Sequence, residues 1–235
     1  MTGRRPLAEV LVVYALAFVG CVGFGLLQGV HGFFDENVLG FVGLLFLGLP
    51  LLVCDRIGRK PAAFGFTSRH WHRGALLALG VMLIITPLFV AGYHLWHGVH
   101  LGREPIVAWE RLRHPEDGTL WWLSFVATQF IVVALPEEFL FRGYIQKRLD
   151  ERWTPSWRVL GTTLGPGWLV ASALFALVHL SIAPAPHRLL VFFPGLLFGW
   201  LRSRSDGIVG PLVAHALSNI LIRTVASFYY LDRLL

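Results

Sequence analysis

Long apolar stretches alternate with short polar ones along nearly the whole chain. Seven apolar segments can be drawn, at approximately residues 7–30, 38–54, 75–96, 119–144, 168–182, 189–201 and 208–229. Each approaches the roughly 20 residues that a helix needs to cross a bilayer. The fifth and sixth are short, and Pro194 interrupts the sixth. The pattern predicts an all-α fold: a polytopic transmembrane helical bundle of about seven spans, with six to eight compatible with the segment edges. Residues 55–73 and 102–117, between spans, each have room for a short amphipathic surface helix. No repeat, low-complexity tract or soluble domain is legible.

Three polar clusters interrupt the apolar sequence of the second half: Glu137-Glu138-x-x-x-Arg142, Phe175-x-x-x-His179 and His215-x-x-x-Asn219. Ionisable groups at membrane depth are costly and usually face a protein interior or a hydrated cavity with partners. The chain therefore divides into residues 1–118, whose helices carry no motif, and a core at 119–230 that carries all three clusters; both are treated as one membrane domain.

Composition adds to this picture. Only 14% of the 235 residues are charged and the mean hydropathy is +0.63, whereas a soluble domain carries about a quarter charged residues. The formal net charge of +6 raises the question of nucleic acid. The basic residues, however, lie between apolar segments and form no single basic face, so no nucleic-acid partner is expected. Arg4 and Arg5 precede the first span; Arg56, Arg59, Lys60, Arg69 and Arg73 follow the second. Lys147, Arg148, Arg152 and Arg158 follow the fourth, and Arg202 and Arg204 the sixth. The positive-inside rule then places the N-terminus in the cytoplasm and, with seven spans, the C-terminus outside. The first apolar run continues past Cys21 to Val30, too long for a cleaved signal, and is read as a retained helix. Cys21 and Cys54 offer neither a disulfide framework nor a zinc pattern.

Orientation allows a depth comparison. Counting from the cytoplasmic end of each span at 1.5 Å per residue, Glu137 lies ~13 Å deep, His179 ~16 Å and His215 ~12 Å. The clusters are expected to share one cavity, open toward the cytoplasmic half. Glu138 and Arg142 are spaced i and i+4 and can pair on one helical face; the plain reading of that pair is structural. Glu137 points about 100° away and is left freer, as a general base requires. Pro136 tends to kink or restart a helix, which would put both acids in a first turn, where the dipole favours carboxylates. His215 and Asn219 are again i and i+4, so both can address one substrate atom. Phe175, one turn before His179, reads as a packing support for the imidazole. The other histidines, His31, His70, His72, His94, His97, His100, His114 and His187, read as interfacial.

A carboxylate beside a neutral imidazole can draw a proton from water, and an imidazole with an amide can stabilise the oxyanion on an attacked carbonyl. These parts suit hydrolysis of a peptide bond. Serine-nucleophile, dinucleotide-binding and phosphate-loop motifs are all missing.

At these residues the chain resembles the CPBP family, the CAAX proteases and bacteriocin-processing enzymes, also called the Abi family, which includes the Ras-converting CAAX prenyl endopeptidase. The family pattern is Glu-Glu-x-x-x-Arg, Phe-x-x-x-His and His-x-x-x-Asn or Asp on successive membrane helices. It is met by Pro136 to Gly143, Phe175 to His179 and His215 to Asn219, within roughly residues 119–228. The resemblance implies that Glu137 and His179 activate the water and that His215 and Asn219 form the oxyanion site, with Glu138, Arg142 and Phe175 supporting. It implies a membrane protein or lipidated peptide as substrate, in CAAX-type or C-terminal sorting-tail processing of the myxosortase type. The implied location is the plasma (inner) membrane of a bacterium. The family has been described both as metallo-type and as glutamic-type. No cofactor is favoured, because asparagine is a poor zinc ligand and a good oxyanion donor; if zinc is bound, Glu137, His179 and His215 are the candidate ligands. A proton-coupled transporter or channel, or a non-catalytic immunity scaffold, are the alternatives.

Overall fold

The computed structural model describes residues 6–68, 70–103, 118–182 and 184–228. Arg4, Arg5, Arg69, His114 and most of the 102–117 stretch lie outside the described residues. Helices α1 (Pro6–Leu27), α2 (Gly32–Ile57) and α3 (Trp71–His94) form the first half, and α3 runs on as a π turn over Leu95–His100. The next helix is continuous but changes its winding. It comprises α4 (Gly118–Thr128), a π stretch (Gln129–Ala134), α5 (Leu135–Glu138), a second π stretch (Phe139–Gln146) and α6 (Lys147–Arg152). Helices α7 (Pro166–Val178), α8 (Phe192–Ser205) and α9 (Val209–Phe228) complete the bundle.

Among the described residues, five helices are long and apolar enough to cross a membrane: Pro6–Leu27, Gly32–Ile57, Trp71–His100, Trp121–Arg152 and Val209–Ala226. The fold is an all-α polytopic bundle. Leu11, Leu16, Leu44, Leu83 and Leu88 are exposed on the outer faces of α1–α3; such a continuous apolar surface suits lipid and would be a liability in water. The fifth and sixth predicted spans correspond to the shorter α7 and α8, of 13 and 14 residues. Pro184 and Pro186 follow α7, and the residue before a proline is disfavoured in the helical region, so the apolar run ends as helix before it ends as sequence.

Between α6 and α7 lies an element the hydrophobic pattern did not reveal. Strands β1 (Trp157–Val159) and β2 (Thr162–Leu164) form an antiparallel hairpin. Its two turn residues, Leu160 and Gly161, both have positive φ, 42° and 79°, as the tightest hairpin turn demands. The 55–73 stretch holds a single 3₁₀ turn, Pro61–Phe64. Rather than lying on the surface, it drives Phe64 fully into the core against the Tyr144 ring, 5.6 Å away. His97, at the end of the third span, is likewise buried, stacked on Tyr93 at 4.2 Å.

The main core joins α1, α2, α7 and the second π stretch. Val13, Ala17, Phe46 and Phe175 pack with Phe139, Leu140, Phe141, Tyr144 and Ile145, all fully or nearly fully buried. An ion network at the end that carries the N-terminus fastens α1 to α6. Glu9 accepts from Arg148 Nε and Nη2, both at 2.9 Å, and from the Tyr144 hydroxyl at 2.6 Å. Arg148 also pairs with Glu151, which Arg59 reaches from beyond α2 at 2.8 Å. The motif-bearing helix is therefore held by the first half of the chain as well as by its own neighbours.

Candidate functional site

The two acids sit on α5, one turn of α-helix between two π stretches. Pro136 has no N–H to give to the turn before it. The π winding of Gln129–Ala134 takes the helix past this position, and π turns of this kind recur at functional sites. Gly43 of α2 lies against the same stretch: a Cβ there would stand 2.7 Å from the Val132 carbonyl oxygen. Only glycine permits this approach of α2 to the helix that carries the acids.

Glu138 is fully buried and makes two strong contacts through one oxygen. Its Oε1 accepts from Arg142 Nη1 at 2.9 Å and from His215 Nδ1 at 2.7 Å. The expected ion pair is present, but the acid also holds the histidine of α9. The Arg142 guanidinium is capped on every side. Nη2 donates to the Gly195 carbonyl at 3.3 Å, and Cζ stands 4.0 Å from the Phe175 ring centroid and 5.3 Å from that of Phe198. Phe198 in turn stacks on His215 at 4.9 Å, 14° from parallel. The His215 ring is thus fixed by a carboxylate at its edge and an aromatic on its face.

Glu137 makes neither of these contacts. It is part-buried, its Oε2, like that of Glu138, has no hydrogen-bond partner, and that oxygen lies 3.8 Å from His215 Nε2. His179 closes α7: its Nδ1 lies 2.7 Å from the Phe175 carbonyl oxygen. A carbonyl only accepts, so Nδ1 carries the proton and Nε2 the lone pair. Glu137 and His215 are both within electrostatic reach of His179, although neither is bonded to it. Phe175 meets both imidazoles edge-to-face, at 4.7 Å from His179 and 5.8 Å from His215. Cys21, remote in sequence, is not remote in space: its buried thiol lies against Ser181 and within electrostatic reach of Glu137.

Asn219 and His215 are bonded to different partners. The Asn219 amide donates to Gln129 Oε1 at 3.0 Å, a residue that the sequence reading overlooked. The available signal was a lone amide inside a membrane-length apolar run, eight positions before Glu137. Gln129 and Asn219 also line a cavity of about 560 Å³ between α2, α4 and α9. This cavity runs toward the ends of those helices away from the N-terminus. On the other side, Arg142 faces a smaller polar cavity of about 170 Å³ with Gln146, Asp150 and Arg202. Among the described residues, no group of three or more His, Cys, Asp or Glu is arranged to hold a metal ion.

A helical bundle of membrane-length apolar helices with a buried acid–imidazole cluster defines the chain as a polytopic membrane protein. The chain from α4 through most of α9, residues 119–221, matches the family model of the Type II CAAX prenyl endopeptidase Rce1-like proteins. This part of the molecule is thus similar to the CAAX prenyl endopeptidases, a family of membrane peptidases. No curated protein and no solved structure matches the chain.

Proposed function

We propose that the protein is an intramembrane endopeptidase that hydrolyses a peptide bond of a membrane-associated protein, with Glu137 as the general base. The observation that carries this reading is the contrast between the two acids. Glu138 is fully buried and held through Oε1 by Arg142 and His215, its Oε2 lying unpartnered in the core, whereas Glu137 keeps some exposure and its unpartnered Oε2 lies 3.8 Å from an imidazole nitrogen. A carboxylate with an unused acceptor can take a proton from water.

In this reading His179, with its lone pair on Nε2, orients the same water. The hydroxide formed adds to the scissile carbonyl, and Glu137 later returns the proton to the departing amine. Asn219 gives one amide proton to Gln129 and keeps its second for the oxyanion. His215 donates from Nδ1 to Glu138, which turns its Nε2 edge toward Glu137 and the oxyanion site. Glu138 and Arg142 hold His215, and Gln129 holds Asn219.

Metal chemistry is the alternative for this site. Both histidines have Nδ1 engaged by an oxygen, as metal-ligating histidines do, and with Glu137 they offer zinc donors. They are not gathered as a three-ligand set, so no step is routed through an ion.

We place the substrate among CAAX-type peptides or C-terminal sorting tails, and the protein in a bacterial inner membrane with its N-terminus in the cytoplasm. The string Glu137–His215–Glu138 would also serve a proton relay. Comparative proteomics of membrane and secreted fractions from wild-type and Glu137→Ala cells separates the two readings. Substrates with altered C-termini support the peptidase. Unaltered fractions, with proton flux into proteoliposomes holding the wild-type protein, would mean a relay.

A further inference from the structure

The cavity between α2, α4 and α9 has a role to explain. Its floor is the Gln129–Asn219 pair, and its walls are Leu39, Trp121, Phe125 and Ile222. Helix directions fix which end of the bundle it occupies. Leu39 is near the start of α2 and Trp121 near the start of α4, both after the chain has crossed from the N-terminal side. Asn219 and Ile222 lie in the later half of α9, whose first turn packs at the opposite end, where Gly210 abuts Gly74 at the start of α3. That opposite end also carries Arg56, Lys147, Arg152, Arg202 and Arg204. The cavity thus opens away from the basic face of the molecule.

Resting on the peptidase reading above, we infer that this cavity is the substrate groove, taking an extended apolar segment next to the scissile bond from the non-cytoplasmic side of the membrane. Three observations commit it to a peptide. It is continuous with Asn219, so whatever fills it presents its nearest carbonyl to the amide assigned to the oxyanion. Its 560 Å³ lies within the ~300–1,000 Å³ of typical ligand sites, enough for a few apolar side chains and too small for a folded domain. Its lining is mainly aromatic and aliphatic along the walls, with Arg223 beside the Trp121 ring and the hydroxyls of Ser124 and Thr128 on α4 available to a peptide backbone. The substrate is then a membrane-anchored protein whose cleaved segment lies across the membrane from the basic ends.

Ser124, exposed on the groove wall, allows a direct test in the full-length protein. Ser124→Cys and, as a control in the loop between α1 and α2, Val30→Cys are expressed in cells with an N-terminal tag that reports which face the N-terminus occupies. A bulky membrane-impermeant maleimide is applied from each face in turn, and processing is read by C-terminal proteomics. We expect Ser124→Cys to be labelled from the face opposite the tag, with processing by that variant falling at least tenfold on labelling, while labelled Val30→Cys continues to process. Labelling of Ser124→Cys without loss of processing overturns the groove. So does labelling only from the face that carries the tag, or no labelling from either face. Glu137→Gln runs alongside: if it processes normally, the peptidase assignment itself has failed, an outcome distinct from a groove in the wrong place.

Discussion

His215 and Glu138, 77 positions apart, are joined by a 2.7 Å hydrogen bond from imidazole Nδ1 to carboxylate Oε1. The same oxygen accepts from Arg142 at 2.9 Å. One buried acid therefore sets both the turn of its own helix and the ring orientation of a histidine on another. Removing one partner of such a buried set leaves an uncompensated charge and costs about 3–5 kcal/mol.

Glu138→Ala is expected to lose that stability and most of the folded protein with it. Glu138→Gln keeps the shape and one acceptor oxygen, so it folds, but it holds His215 less firmly. We expect kcat to fall about 10–100-fold, as for loss of a group that orients a working histidine, with KM little changed. Thermal unfolding in detergent and single-substrate kinetics on both variants check this.

Arg142→Lys tests the other arm of the set. Lysine retains the charge but not the planar fork that reaches Glu138 and Gly195 together, nor the stacking on Phe175 and Phe198. The exchange is expected to destabilise the protein and reduce its activity, showing as a lower unfolding temperature beside a reduced cleavage rate.

Gln129 is expected to act through Asn219. Gln129→Leu leaves the amide unanchored and should lower kcat by about 10-fold or more, within the ~10²–10³ of losing an oxyanion donor outright. Gln129→Glu retains an acceptor for Asn219 Nδ2 and should recover part of the rate. A change confined to KM would assign Gln129 to substrate binding alone.

Gly43→Ala puts a Cβ 2.7 Å from the Val132 carbonyl oxygen. Backbone cannot yield as a flexible side chain can, so α2 must move off the helix that bears the acids. Overpacking of this kind costs about 1–3 kcal/mol. The expected readout is reduced thermal stability together with impaired cleavage; an unchanged melting curve would mean that the two helices are not held this closely.

The sequence carried the Glu138–Arg142 pair because i,i+4 spacing fixes which side chains share a helical face. It also carried the meeting of the three clusters, because helix rise converts residue counts into depth. The His215–Glu138 bond was beyond it. That bond depends on the rotation of α9 about its own axis, set by Phe198 stacking on the imidazole. Gln129 was overlooked because a single amide breaks no pattern, and the hairpin at Trp157–Leu164 because three-residue strands leave no periodic signal. The direction of the cavity was also beyond it: equal depth locates a site between the membrane faces but does not say from which face it opens.

The central claim is that Glu137, and not its neighbour, takes the proton from the attacking water. Its most direct test is the cleavage rate of purified, folded Glu137→Gln on a substrate identified from the cellular comparison, measured beside wild type in zinc-free buffer with a chelator. The account predicts full wild-type activity under these conditions and no cleavage above background by the variant. Cleavage by Glu137→Gln at the wild-type rate, or loss of wild-type activity with the metal and its recovery on adding zinc, would contradict it.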